Sequence, residues 1–558
     1  MNGTILTPTA IWKNFIIEQK VKTKIVDKYK IGSIIKFALE IEGREVNDGK
    51  VNIYAEFYQK EEAKKSPVII LMQDFSIGEN ISLVKNLVKQ GYGVMLVDLA
   101  GKMENKTNYT RYPISLDYVN YEIAKDNLFT VSFDAVKTCW YEWSAVIRYV
   151  VSYLNNLPNV TKIGCVAFGD VATVLWQVAG TDENLDCAVF GLNSGWLGYR
   201  GVQKFGGMVE PQFDDQMYKF IAGIDPQSYA MHVNCPVLML SATNNVQYDI
   251  DRAFDTLSKI KQETYSAIHY SINQVNKINQ DGYFDMLLFL SKYLQDDTKL
   301  NLPCDCDLKC EIENGQLIIE ANGSLEGLKS VNVCIAEELA DPTVRSWQII
   351  KTKKVGESYV AKYTPFNKSE LAIMYAVFKY ANGFTICSKI IAKKFNQDEI
   401  AKTYKNNIVY SSRIDNASTL FVNNDTLQKD GDPFVNNAVL KKKGPMGIEG
   451  ITSDSGVLTF MPSGKKCAPN SDSIFMLDVY SEKDGELVVC LIADYPSVKT
   501  EYFARVSIKG EDIWHNVQLP MNKFKTAEGM PLKDYSKIQA MSINVNGSEY
   551  LVNNALWI

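Results

Sequence analysis

The sequence predicts an α/β protein: a doubly wound, mostly parallel sheet followed by two all-β sandwich domains. Three observations carry this. The chain has 558 residues, too many for one core, and domains of roughly 100–250 residues divide it into about three or four. Between residues 67 and 297, apolar runs of strand length alternate with amphipathic stretches. That is the pattern of a parallel sheet covered on both faces. After Leu300 the helical period disappears, and short alternating runs separated by turn residues replace it, as in small β-sandwiches.

The elements follow in order. Residues 34–42 and 50–58 read as two lead-in strands joined by a turn at Asn47-Asp48-Gly49. Continuous apolar strands are expected at 68–72, 94–99, 162–168, 187–192, 237–242 and 267–272, with helical stretches at 80–90, 134–154 and 283–294. Short right-handed crossovers close this unit near Asp297, giving a first domain over residues 1–300. Residues 301–397 form the second. Its clearest feature is the hairpin formed by residues 373–380, Ala381-Asn382-Gly383 and residues 384–391, built on an Asn-Gly turn. Its size is that of an immunoglobulin-like sandwich. A polar stretch at 396–409, with Lys402, Lys405, Asn406 and Asn407, reads as a linker. Residues 398–558 hold the last domain, with strands near 473–480, 486–494, 502–508, 516–519, 538–545 and 550–558.

Composition removes several function classes. The net charge is −6 with both signs dispersed, which argues against a nucleic-acid or anionic-membrane footprint. No run of about 18 apolar residues predicts a membrane span, and the first residues lack the pattern of a secretory signal. Eleven cysteines lie mostly inside apolar runs, so a reducing, cytoplasmic setting is expected. Cys304, Cys306 and Cys310 cluster, but a tetrahedral zinc site needs four ligands. Cys334 is the fourth only if the fold brings it near. Reduced thiols are expected there, with no metal and no cofactor.

Five phrases define a resemblance. They are GYGVMLVDLAG (91–101), the helix with Trp140-Tyr141-Glu142-Trp143, KIGCVAFGDVATVLWQVAG (162–180), CPVLMLSATNN (235–245) and FDMLLFLSKYL (284–294). Together they resemble the α/β-hydrolase superfamily, in its dienelactone-hydrolase and acetyl-xylan-esterase branch, over about half the chain. The resemblance implies a nucleophile on a tight strand-to-helix turn, G-x-S-x-G. Here the turn reads Ala167-Phe168-Gly169-Asp170-Val171, and Gly169 falls on the nucleophile position. A register slip by one residue would make Asp170 the nucleophile. The implied acid position, after the strand at 237–242, is Asn245, which cannot carry the charge that steadies an imidazolium. Asp249 and Asp251 follow as substitutes, although both also suit a helix start. The implied base position falls on Lys277, and a protonated lysine is a poor base. His269, one of three histidines, lies inside the preceding strand, where packing or hydrogen bonding is expected. The oxyanion region reads Gln73-Asp74, and a carboxylate repels a developing oxyanion.

The catalytic set is therefore expected to be degenerate, and the chain is expected to bind a carbohydrate or a protein partner, or to act as a scaffold. The alternatives are an esterase built on Asp170, Asp249, Asp251 and His269, or an assembly protein. Candidate binding residues are Gln73, Asp74, Ser194 and Trp196 at strand ends, where α/β ligand sites gather. Tyr495, Tyr502 and Trp514 are others, in a C-terminal sandwich that resembles galactose-binding-like and carbohydrate-binding modules. The pair Trp140 and Trp143 reads as helix-to-sheet packing.

Overall fold

A computed structural model describes residues 3–17, 20–78, 81–206, 211–366, 369–400, 407–412, 421–427, 432–435, 438–464, 467, 469–496 and 498–558. The strands of the first domain are β1 (Thr23–Ile31), β2 (Ile34–Val46), β3 (Gly49–Lys60), β4 (Ser66–Met72), β5 (Gly93–Val97), β6 (Val160–Phe168), β7 (Cys187–Gly191), β8 (Val237–Ala242) and β9 (Ser266–Ser271). They form one mixed sheet in the order β1-β2-β3-β5-β4-β6-β7-β8-β9. Strands β1, β2 and β3 pair antiparallel, and β3 joins β5 antiparallel. From β5 through β9 every pairing is parallel. With the edge strand β1 set aside, this is the mixed sheet of an α/β-hydrolase-like fold. The sequence reading missed β1, because TKIVDKYKI is exposed along nearly its whole length and carries no alternating apolar face.

Both faces of the parallel strands are buried, which is why β5, β7 and β8 are continuously apolar. On one face, α1 (Ser82–Lys89) and α5 (Gln280–Leu294) pack Leu83, Leu87, Phe289 and Leu290 onto Ile69, Val94, Val189 and Leu238. On the other, α2 (Cys139–Asn155), α3 (Ala172–Ala179) and α4 (Ile250–Leu257) cover Ile70, Met95, Phe190 and Met239. Trp140 and Trp143 are buried in that second layer, where Trp143 lies 4.6 Å from the Phe75 ring.

The second domain packs two antiparallel sheets. One contains β10 (Cys306–Glu313), β11 (Gln316–Gly323), β15 (Ser358–Tyr363) and β14 (Lys353–Val355). The other contains β13 (Gln348–Lys351), β12 (Leu328–Glu337), β16 (Leu371–Tyr380) and β17 (Thr385–Cys387), with β18 (Ile391–Lys394) also on β16. Of the expected linker, residues 401–406 lie outside the described residues.

The third domain has two further antiparallel sheets. One runs β21 (Leu440–Lys443), β22 (Glu449–Thr452), β29 (Tyr550–Trp557), β24 (Ile474–Ser481) and β27 (His515–Pro520), with β19 (Ile408–Ser411) on β29. The other runs β20 (Val422–Asn423), β23 (Val457–Thr459), β28 (Ile538–Asn546), β25 (Gly485–Ala493) and β26 (Thr500–Ile508). Alternation along β25 divides its two faces. Leu487, Val489 and Leu491 point into the sandwich, while Cys490 and Ile492 point out.

Among the described residues no helix is long and apolar enough to cross a membrane. Cys139, Cys165, Cys187, Cys235, Cys310, Cys334, Cys387 and Cys490 are buried free thiols, and Cys304 is exposed. Among the described residues no group of His, Cys, Asp or Glu is placed to hold a metal ion.

Candidate functional site

The C-terminal ends of β6, β7, β8 and β9 open on one side of the sheet, where ligand sites of open α/β sheets gather. At the end of β6 the chain turns sharply into α3. Gly169 takes φ +64° there, a left-handed conformation that glycine adopts without strain. Among the described residues, no atom lies within 4 Å of a Cβ placed on Gly169. The turn thus has the backbone of a nucleophile elbow and room for a side chain, but no side-chain atom. Asn193, just past β7, holds it in place. Its Nδ2 donates to the Gly169 carbonyl at 2.9 Å and to Thr173 Oγ1 at 3.0 Å.

The next residue, Asp170, directs its carboxylate toward the β8 loop. Its Oδ1 accepts from Gln247 Nε2 and from the Tyr248 hydroxyl. Burial and then the Asp170 charge push the Tyr248 phenol well above its ordinary range, so it stays a donor. On the oxyanion side, Asp74 is exposed, and its Oδ1 accepts the Phe75 N–H at 2.6 Å. Tyr121 stacks on Phe75, and the nearby charges of Asp74 and Asp170 add to burial in raising its pKa. The mouth of the elbow is thus negative, where acyl transfer needs donors for a developing oxyanion.

The acid position is a turn. Asn245 Oδ1 accepts the N–H groups of Gln247 at 2.9 Å and Tyr248 at 2.8 Å. Its neighbour Asn244 donates to the carbonyl of Arg345 in the second domain at 2.7 Å. Asp249 caps α4 by accepting the Asp251 N–H. Burial, followed by the Asp251 charge, raises the Asp249 carboxyl. Asp251 is wholly buried and receives both arms of the Arg345 guanidinium at 2.6 and 2.7 Å. A fork of that kind is a structural clamp between domains.

The base position is a docking segment. Asn273 and Trp347 of the second domain exchange two hydrogen bonds, 3.0 Å from Nδ2 and 2.9 Å to Oδ1. The Val275 N–H donates to Thr426 Oγ1 of the third domain at 2.9 Å. The Val275 side chain is fully buried against the outward face of β25 and its neighbours, among Val422, Leu458, Phe460, Cys490, Ile492 and Ala540. Ile278 pairs with the third domain through Pro433 and Val435, at 2.7 and 2.8 Å. Lys277 is not an exposed lysine: it is buried, with its Nζ 3.7 Å from Asp425 Oδ2. His269 points away from the elbow, toward α5. Its Nδ1 lies 2.8 Å from Asp285 Oδ2, and its Nε2 lies 2.9 Å from Asn279 Oδ1. The other Asp285 oxygen accepts the Thr385 N–H of β17.

Beside these loops lies a cavity of about 680 Å³. The first domain contributes Tyr199, Arg200, Gln203, Asn245, Gln247, Asp249 and Asn276 to its wall. The second contributes Asp341 and Thr343, and the third Leu427, Asp494, Tyr495 and Gln539. Gln247 links it to the elbow through Asp170. Of the residues singled out in the sequence, Asn245, Asp249 and Tyr495 line this cavity. Ser194 and Trp196 do not, being held inside: Ser194 Oγ donates to the Asp249 carbonyl, and Trp196 Nε1 to Thr256 Oγ1 at 2.9 Å. Gln73 is half-buried beside Asp74 on the elbow side. Trp514 lies in the third domain, donating to the Pro445 carbonyl at 3.2 Å. Sequence reading missed Tyr199 and Asp341, because separate domains bring them together with Tyr495.

No family model matches this chain, and no curated protein matches it. Solved structures similar to it cover about half its length. The acetyl xylan esterase from Paenibacillus sp. R4 is 12% identical, with 51% of this chain and 92% of that chain covered and a TM-score of 0.39. Acetyl xylan esterase 1 from Thermoanaerobacterium sp. JW/SL YS485 is 13% identical, with 49% and 87% covered and a TM-score of 0.36. A glucuronoyl esterase from Solibacter usitatus is 12% identical, with 45% and 76% covered and a TM-score of 0.32.

Proposed function

We propose that this chain is a binding protein on a hydrolase-like scaffold, taking its ligand at the strand-end cavity without forming an acyl-enzyme. One observation carries this: the elbow residue is Gly169, with space for a side chain and none present. Acyl transfer through a serine-type elbow needs an oxygen or sulfur nucleophile, a base within hydrogen-bond reach and an oriented third group. The first is missing at Gly169. The segment that would carry the base is bonded to both accessory domains. The charge near the oxyanion position is negative rather than positive.

A second reading, an ester hydrolase with an atypical catalytic set, has Asp170 in its favour. That carboxylate leaves the elbow one residue late and is oriented by Gln247 and Tyr248. Against it, His269 is turned into the α5 interface and occupied by Asp285.

Steady-state hydrolysis of 4-nitrophenyl acetate and of acetylated xylo-oligosaccharides separates the two. No turnover above buffer is expected from the wild type. Turnover that disappears in Asp170→Asn would establish the second reading instead.

A further inference from the structure

Resting on the binding reading above, we infer that the three-domain cavity takes an uncharged polyhydroxylated ligand, held by all three domains at once. The wall chemistry selects that class. Gln203, Asn276 and Gln539 present side-chain amides, each offering donor and acceptor together, as a hydroxyl group requires of its partner. Tyr199 and Tyr495 add aromatic surface with a polar tip, suited to a ligand whose faces are C–H and whose edges are O–H.

Two details point to a missing partner rather than to a self-satisfied wall. Gln539 lines the wall, and its Oε1 is a buried acceptor with no donor among the described residues. Asp341 uses Oδ1 to accept from the Thr343 N–H and hydroxyl, at 2.9 and 2.7 Å. Its remaining lone pairs suit hydroxyl donors.

Charge excludes the anionic relatives of such a ligand. The wall carries three carboxylates, Asp249, Asp341 and Asp494, against the guanidinium of Arg200. Arg252 lies 3.2 Å from Asp249, and Lys537 lies 3.3 Å from Asp494. These two acids are therefore already matched and offer little to an amine. With those two matched, Asp341 and Arg200 leave the wall without net charge, so an added carboxylate, sulfate or phosphate would find no surplus cation to replace the water it gives up. Because the wall comes from three domains, occupancy also ties them together and raises the stability of the whole chain by mass action.

The test is calorimetric titration of the full-length protein with neutral tri- and tetrasaccharides of differing linkage, and with the matching uronic-acid oligosaccharides. At least one neutral saccharide is expected to bind and to raise the melting temperature. Its affinity should fall about tenfold or more in Asp341→Ala and in Tyr199→Ala. Tyr199→Ala lies in a different domain, so the comparison survives if one variant folds poorly. Tyr495→Phe should retain binding better than Tyr495→Leu. The inference is overturned if no neutral saccharide binds up to about 10 mM, if the uronides bind as tightly, or if binding survives both alanine variants. Failure here without ester turnover leaves the silent-elbow reading standing. A saccharide ester that binds and is cleaved removes that reading and keeps the ligand class.

Discussion

At the scale of single residues, the chain keeps costly groups where their partners are structural. Arg345 and Asp251 form a wholly buried ion pair, a feature that is weak evidence for stability but is strongly destabilising when one partner is lost. Asp98, at the end of β5, is buried and accepts the N–H groups of Gly101 and Thr110 at 3.0 and 2.9 Å. Burial pushes its carboxyl up to about 6. The sign follows directly. Between about pH 4 and about pH 6 the folded state holds a proton that the unfolded chain has released, so this group's contribution to stability falls as pH rises through that window and levels off above it. Asp98→Asn should therefore lose less stability than the wild type between about pH 4.5 and about pH 7. Urea midpoints at the two pH values check this, and equal losses would contradict it.

At the scale of elements, the parallel strands were legible because burial on both faces leaves continuous apolar runs such as Val237–Ala242. The turn after β6 was legible too, because it is local: Phe168, Gly169 and Asp170 are consecutive, and Gly169 takes the left-handed conformation that glycine favours. The fate of the base segment was not. Asn273 meets Trp347 across 74 positions, and Val275 meets Thr426 across 151. No periodicity within residues 272–279 signals either partner. The contacts of the loop after β9 serve domain docking. Val275→Asp places a charge among Val422, Leu458, Phe460 and Ile492. A buried, unpaired charge of this kind costs about 3–5 kcal/mol. The variant is expected to melt in two transitions, with the third domain loosened from the first. A single unchanged transition by calorimetry would show that this segment does not hold the domains together.

At the scale of the whole molecule, the accessory domains close over the side of the sheet where a hydrolase presents its catalytic loops. The second domain holds Asp251 and Asn273, and the third holds Val275, Lys277 and Ile278. What remains open is displaced from the elbow toward β8 and β9, behind the Asp170–Gln247 contact. The sequence reading anticipated two β-rich segments after residue 300, and it looked to Tyr495, Tyr502 and Trp514 for binding within the last of them. Of these the cavity draws on Tyr495, beside Asp494 and Gln539 of that domain, whose proximity to Tyr199 depends on how the domains meet. A molecule arranged this way has a mixed α/β sheet whose strand-end loops serve turns, caps and interfaces.

The most direct measurement is the intact mass of the full-length protein after prolonged exposure to an alkyl fluorophosphonate, which captures an activated hydroxyl nucleophile. The mass is expected to stay that of the untreated chain. A single stoichiometric adduct mapping to the loops at the ends of β6 to β9 would contradict the account.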